Sequence, residues 1–380
     1  MRNESAINAL LLWDIFGLWQ HSEKIMKVLF IKKKLDRSEL DLVLRLKQLG
    51  VNMYVLTDCD SLDSDLLTET GIFIQSVPYK SKISLGFIRQ IRQLIDNHKF
   101  DIIHAPDSKG LANAIWASYF RPVKLVGYRG TLAKVRRLDL SYWLALLHPR
   151  VDRVICVNQS IYDYMRTFFR AQKLLLNYKG YDLEWGKEAS LQEVELPPMP
   201  DDAFVVSYIA STRGRPFKGL EILVQAMHLL QEPNIHLMFI GDYDDAVKTL
   251  AENGAAAQRI HFLGIRKLAA SYLRCAKIFI LPSTRDGLPR VMKEAMAQGI
   301  PIITTRIVGP TELVIDGESG MWVEPGQPES IAQAISRLYY DPLLRERLGQ
   351  AGKQRLVEHF SSESFVSKTL DLYHDLMRAD

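Results

Sequence analysis

Three loops in the second half of the chain collect residues suited to handling a phosphorylated sugar. Residues 210–219 (ASTRGRPFKG) carry Arg213, Arg215 and Lys218 on a glycine-containing turn that opens a helix. Backbone N–H groups at a helix N-terminus and nearby cations suit a diphosphate, because they point charge one way. A solvated basic turn accounts for this segment equally well. Residues 282–301 (PSTRDGLPRVMKEAMAQGIP) place Asp286 just past a strand, Gly287 where backbone can approach a ligand, and Pro289 at a helix start. Glu294 follows Asp286 by eight residues, on the first turns of that helix. Carboxylates accept hydrogen bonds from paired hydroxyls, so both suit a sugar. For Glu294 alone, an acid complementing the helix dipole is the plainer account. The third loop, RIVGPTELVIDGESGMWVEPG, sets Gly309, Pro310 and Glu312 between a strand and a helix. Taken alone it says little.

These loops need a scaffold. A chain of 380 residues exceeds one ordinary core of about 100–200 residues and points to two domains. Apolar β-branched runs at 28–31, 53–56, 72–77, 102–104, 125–128 and 154–157 alternate with helical patterns, and this half ends near 174–177. A Pro- and acid-rich stretch at 189–202 reads as a linker. A second alternation follows, with runs at 204–209, 235–240, 260–263, 278–281 and 302–304. Runs without strict polar alternation are expected of strands buried on both faces, as in parallel sheets. Residues 342–377 are predicted helical, with a break near 359–362. The pattern predicts an α/β protein of two Rossmann-like doubly wound domains facing across a cleft. Their boundaries are expected at 26–185 and 200–358, with a helix at 361–378 completing the first. Ligands of such sheets sit beyond the carboxyl ends of the strands, which is where the three loops fall.

Composition narrows the function. Hydrophobic residues make up 47% and charged residues 24% of the chain, which excludes disordered and coiled-coil classes. No apolar run approaches the roughly 18 residues of a membrane-spanning helix. Cys59, Cys156 and Cys275 lie far apart, so neither a disulfide framework nor a zinc site is expected, and a reducing cytoplasm is the default compartment. Residues 1–180 carry 27 basic against 17 acidic side chains, and residues 181–380 carry 21 against 27. A basic half of this kind is expected to meet something anionic. No aromatic-interleaved basic motif appears, so nucleic acid is not the expected partner. Phosphorylated substrates and anionic lipid head groups fit equally well. Residues 1–25 are an extension of uncertain role: either translation starts at Met26, or the stretch is an amphipathic helix on a surface.

In their order and separations the second-half loops resemble glycosyltransferase family 4, retaining, nucleotide-sugar-dependent enzymes of the GT-B fold. The resemblance rests on R-x4-K, then HFLG, then PS-x2-D-G-x-P-x4-E-A-M-A-x-G-x-P, then G-P-T-E-L-V-x-D-G-x-S-G, and it covers about residues 204–360. It implies that Arg213 and Lys218 neutralise the donor diphosphate and that Glu294 holds the donor ribose. Asp286 would contact sugar hydroxyls, as an Asp where the family has Glu. Backbone at Gly287 and Leu288 would line sugar and phosphate, and the turn at Gly264 and Ile265 would meet the base. The first half departs from the family: KKKLDRSE replaces the glycine-rich loop after the first strand. DIIHAPD keeps His104, and Arg129 stands where a His is common. His104, Asp107 and Arg129 are therefore the acceptor-side candidates, His104 being more often structural in such a setting.

The expected reaction moves a sugar from a nucleoside-diphosphate sugar to a hydroxyl of a cell-surface glycan or lipid-linked acceptor. No metal and no cofactor are expected. Basic residues Arg121, Lys124, Arg129, Lys134, Arg136, Arg137, Arg150 and Arg153 are expected to face the acceptor, at the inner face of the plasma membrane. Two other readings stay open on the sequence: a non-catalytic nucleotide-sugar-binding subunit, and an epimerase or phosphorylase on the same fold.

Overall fold

A computed structural model describes residues 25–58, 63–131 and 139–378. Strands β1 (Lys27–Ile31), β2 (Asn52–Thr57), β3 (Phe73–Gln75), β4 (Ile102–Ala105), β5 (Lys124–Arg129), β6 (Arg153–Cys156) and β7 (Leu174–Leu176) form one sheet, in the order β3-β2-β1-β4-β5-β6-β7. Strands β8 (Phe204–Ile209), β9 (Ile235–Ile240), β10 (Ile260–Phe262), β11 (Ile278–Leu281), β12 (Ile302–Thr305) and β13 (Met321–Val323) form a second, ordered β10-β9-β8-β11-β12-β13. Every pairing in both sheets is parallel. All six residues of β9 are buried, as expected where helices cover both faces.

The helices read as their sequences dictate. Leu85–His98 buries Phe87, Ile91 and Ile95, one apolar residue per turn. Arg37–Gln48 begins with a reciprocal capping box between Asp36 and Glu39. Pro342–Phe360 ends one residue before Ser362–Arg378 begins, so the anticipated break falls at Ser361. That last helix crosses back to the first sheet, burying Phe365, Leu372, Tyr373 and Leu376 in its core. Asn177, at the exit of β7, donates to the Phe365 carbonyl (3.1 Å) and to Thr369 Oγ1 (3.0 Å). The outgoing and returning chains pair as a bridge between Tyr181 and Ser361.

Two strand expectations need correction. The run at 72–77 is strand only over Phe73–Gln75, flanked by single bonds to β2: Val55 N donates to the Ile72 carbonyl (2.7 Å) and Ser76 N to the Thr57 carbonyl (2.9 Å). Strand β13 was not anticipated; its three residues, Met-Trp-Val, are too short to display a period. The extension 1–24 and Cys59 lie outside the described residues. Cys156 and Cys275 are free thiols, and burial pushes the Cys156 thiol up to about 12.

Candidate active site

In each sheet the strand order reverses at one point, and loops leaving the two central strands there part to opposite faces. In the second sheet that point lies between β8 and β11, the strands that feed the Arg213–Lys218 loop and the Asp286 loop. The structure ties these loops together. Lys218 Nζ lies 2.8 Å from Asp286 Oδ2, and Thr284 N donates to the Phe217 carbonyl at 2.8 Å. Gly219 takes φ +74°, and a Cβ there would lie 2.1 Å from the Pro282 carbonyl oxygen. Tyr208 donates to the Lys218 carbonyl (2.6 Å), fixing the residue from beneath. A glycine is thus required for the two loops to meet.

The third loop closes the other side. Gly309 takes φ +99°, and a Cβ on it would stand 1.5 Å from the carbonyl oxygen of Gly287. Two backbones therefore touch beside Asp286, leaving peptide groups rather than side chains at this wall. Arg213 is exposed and turns its Nε to the Tyr243 carbonyl (3.1 Å), on the loop after β9. Gly214 N donates to Asp244 Oδ2 on the same loop (3.0 Å).

Glu294 belongs to a neighbouring space. On helix Arg290–Ala297 it pairs with Arg290 (2.9 Å) and lines a cavity of about 640 Å³. Tyr181, Trp185, Lys267 and Leu268 share that lining, as does Arg37 from the first domain, stacked over the Trp185 ring at 4.5 Å. Burial pushes the Glu294 carboxyl up, with Arg290 pulling the other way. Lys218 and Asp286 are not part of this lining, so the candidate residues form two centres, a Lys218–Asp286 pair and a Glu294 cavity. Gly264 takes φ +68° and accepts from Gly241 N (2.9 Å), while Ile265 is exposed. Leu288 is half-buried beside exposed Gly287.

The acceptor-side candidates fare differently. His104 is buried, with Nδ1 2.7 Å from the Tyr373 hydroxyl; burial, then Lys32 and Lys179, push its imidazole down to about 3. It is neutral at any physiological pH. Asp107 caps helix Ser108–Ser118, accepting from Lys109 N (3.0 Å) and Gly110 N (2.7 Å), and Tyr79 donates to its other oxygen (3.3 Å). Arg129 ends β5, with its guanidinium 5.7 Å from the Tyr142 ring centre.

The expected basic face requires correction. Lys124 and Arg153 open β5 and β6, whereas Arg129 closes β5. Arg150 bonds Asp152 (3.1 Å) and the Val123 carbonyl, and Arg121 pairs with Asp96 (2.6 Å). Sequence neighbours thus part to opposite ends of a six-residue strand, roughly 17 Å apart. Among the described members of this group, only Arg129 stands at the carboxyl end. Lys134, Arg136 and Arg137 lie outside the described residues.

In the loop after β1, KKKLDRSE is held by ion pairs that reach across to Lys179. Lys32 and Lys179 both pair with Glu39, and Lys179 pairs with Asp36 as well. Lys293, next to Glu294, is buried and donates to the Lys179 carbonyl; burial, then Lys179, push its ammonium down to about 7. A lysine inside an otherwise apolar helix face was the available signal.

Residues 36–185 match the family Glycosyltransferase Family 4, and residues 198–355 match Glycosyl transferases group 1. A lipopolysaccharide core biosynthesis glycosyltransferase, LpsE of Rhizobium meliloti, is 33% identical over 64% of this chain and 70% of its own length. The putative glycosyltransferase EpsD of Bacillus subtilis is 24% identical over 88% and 92%. Among solved structures, a glycosyltransferase from Rickettsia africae superposes with a TM-score of 0.81 at 18% identity, covering 94% of this chain and all of that one. Anabaena HepE in complex with UDP gives 0.75 at 20% identity, over 92% and 100%. The chain therefore belongs to glycosyltransferase family 4 and is a glycosyltransferase of the GT-B fold.

Proposed function

We propose that the protein transfers a sugar, with retention of anomeric configuration, from a nucleoside-diphosphate sugar to a hydroxyl of a polysaccharide or lipopolysaccharide precursor. The observation that carries this reading is the Lys218–Asp286 pair at the switch point between β8 and β11. Each charge satisfies the other. A donor would replace both partners at once, its diphosphate taking Lys218 and its sugar hydroxyls taking Asp286. As the bond to the diphosphate breaks, the growing negative charge would be met by Lys218 and Arg213 and by the peptides of Gly287 and Leu288. Electrostatic preorganisation of this kind lowers the barrier without a protein nucleophile, and cations on the chain meet the charge without a metal. The Glu294 cavity would take the nucleoside, its carboxylate accepting from ribose hydroxyls. HepE is described in complexes with UDP and with UDP-glucose, which favours a uridine donor.

The acceptor would be presented at an anionic membrane surface on the cytoplasmic side. Leu85 (81% exposed) and Ile83 stand at the start of helix Leu85–His98, and Leu140 (71%) and Trp143 bound the short helix Leu140–Trp143 of the first domain. Lys82 joins the two segments by donating to the Ser141 carbonyl. Apolar tips with lysines beside them suit a head-group layer. No helix among the described residues is long and apolar enough to cross a membrane.

A panel of UDP-, GDP-, ADP- and CMP-linked sugars, scored by thermal shift and by nucleotide release, tests the donor. One donor should shift the melt and release its nucleotide, with EDTA present, and NMR of the product should show the donor's anomeric configuration. Inversion, or no shift with any donor, would overturn the reading. L85S/L140S should float less with anionic vesicles than wild type does; equal flotation of wild type with anionic and neutral vesicles would remove the membrane surface.

A further inference from the structure

The helix that follows β6, Gln159–Met165, needs partners for its first N–H groups, as every helix does. Asn158 caps it in the ordinary way, its Oδ1 accepting from Ile161 N at 2.8 Å. The two N–H groups before that go elsewhere. Gln159 N donates to Glu312 Oε2 (2.8 Å) and Ser160 N to Glu312 Oε1 (3.3 Å). Two side chains of the first half join them: Ser160 Oγ donates to Oε1 (3.2 Å) and Tyr178 OH to Oε2 (3.0 Å).

Glu312 belongs to the other domain. It lies in the short helix Pro310–Leu313, which Gly309 opens by resting its backbone on Gly287. From behind, Arg355 holds the carbonyls of Glu312 (3.0 Å) and Leu313 (2.9 Å). One carboxylate on the wall of the donor centre thus completes the cap of a helix on the acceptor-side domain. Charged acceptors of backbone N–H bonds are among the stronger hydrogen bonds, and the positive end of the helix adds to them. If the domains separate, two N–H groups and a carboxylate must each find water instead.

We infer that Glu312 is a positioning residue for sugar transfer: it latches the Gly309–Leu313 loop to the helix Gln159–Met165 and so sets the spacing between donor and acceptor centres. This inference rests on the transferase reading above. Near-attack geometry is sensitive to shifts of about 1 Å, which can cost on the order of 100-fold in rate. The Glu312 carboxylate is taken up by groups of the first half, so its loss should act on transfer and spare donor binding.

The test compares E312A and E312Q with wild type, using the donor found in the panel. Calorimetric donor affinity, transfer kcat and acceptor-free donor hydrolysis are measured, and small-angle scattering reports domain opening. E312A should lower transfer kcat roughly 10- to 100-fold. Donor Kd should stay within about threefold, the ratio of hydrolysis to transfer should rise, and the radius of gyration should increase. E312Q, which keeps an acceptor oxygen, should fall between. Donor affinity and transfer falling together would overturn the inference, as would unchanged transfer or an unchanged scattering curve. Should E312A not fold, S160A/Y178F keeps the carboxylate and decides the matter by the same ratio: a rise supports the latch and no rise overturns it. Wild type without transfer would sink the transferase reading; the scattering comparison would still show whether the latch holds the domains.

Discussion

The molecule contains two switch points of the same topology, and they are finished in opposite ways. Between β8 and β11 the loops meet through glycine: Gly219 against Pro282, Gly309 against Gly287, both at positive φ. Peptide groups line that crevice, and a single ion pair, Lys218–Asp286, spans it. Between β1 and β4 the loop Lys32–Lys33–Lys34–Leu35–Asp36 has no glycine. Its space is taken by Lys32, Asp36, Glu39 and Lys179, joined as ion pairs, with His104 sealed nearby against Tyr373. One switch point is lined by peptide groups; the other is filled by the protein's own charges. The shared strand order therefore does not finish both alike, because side chains decide whether backbone dipoles stay available.

The largest effects should fall at the β8–β11 switch point. Lys218→Ala should reduce transfer kcat on the order of 100- to 1000-fold, as loss of one preorganised charge partner does elsewhere, with an unchanged circular dichroism spectrum. Asp286→Ala should do comparable harm and release Lys218 from its partner; near-normal turnover in either variant would discard the centre. Gly309→Ala comes next. A Cβ cannot occupy a place 1.5 Å from a carbonyl oxygen, so the loop must move. Donor Kd should rise roughly tenfold, read by calorimetry.

At the β1–β4 switch point the effects should fall on stability rather than chemistry. Glu39 is 3% exposed and serves two lysines. Glu39→Gln leaves those cations short of a partner and should cost about 3 kcal/mol, measured by urea unfolding, with donor affinity kept in the folded fraction. Smallest is a pH effect at Lys293. Its folded ammonium titrates near 7 against an ordinary lysine value of 10.5, so between those values the unfolded chain holds a proton that the folded one lacks. Stability from this group therefore rises with pH across that window. Lys293→Met should gain melting temperature over wild type at pH 6.5 and keep less of that gain at pH 9. An equal difference at both pH values would show that the ammonium is not desolvated.

Sequence and structure part company where contacts cross long intervals. Buried β-branched runs such as 204–209 and 235–240 announce themselves, because covering both faces of a parallel strand demands apolar residues throughout. The edge strand β13 did not, since an edge imposes less burial and three residues show no period, whereas β3 falls within the run at 72–77. Arg213, Lys218, Asp286 and Glu294 were legible from spacing and from the family resemblance. That Lys218 and Asp286 touch, 68 positions apart, follows from the strand order alone. Glu312 was visible only as a helix-opening acid; its partners at Gln159, Ser160 and Tyr178 lie on the other domain, and no local pattern encodes them. The basic run misled for the complementary reason, since neighbours in sequence ended at opposite ends of β5.

The central claim is that the β8–β11 switch point recognises a diphosphate through Lys218. Calorimetric titration of wild type and Lys218→Ala with the nucleoside-diphosphate sugar, and separately with the free nucleoside, tests it directly. The substitution should weaken binding of the diphosphate sugar at least tenfold and leave the nucleoside unchanged. Equal affinity of both proteins for the diphosphate sugar would contradict it.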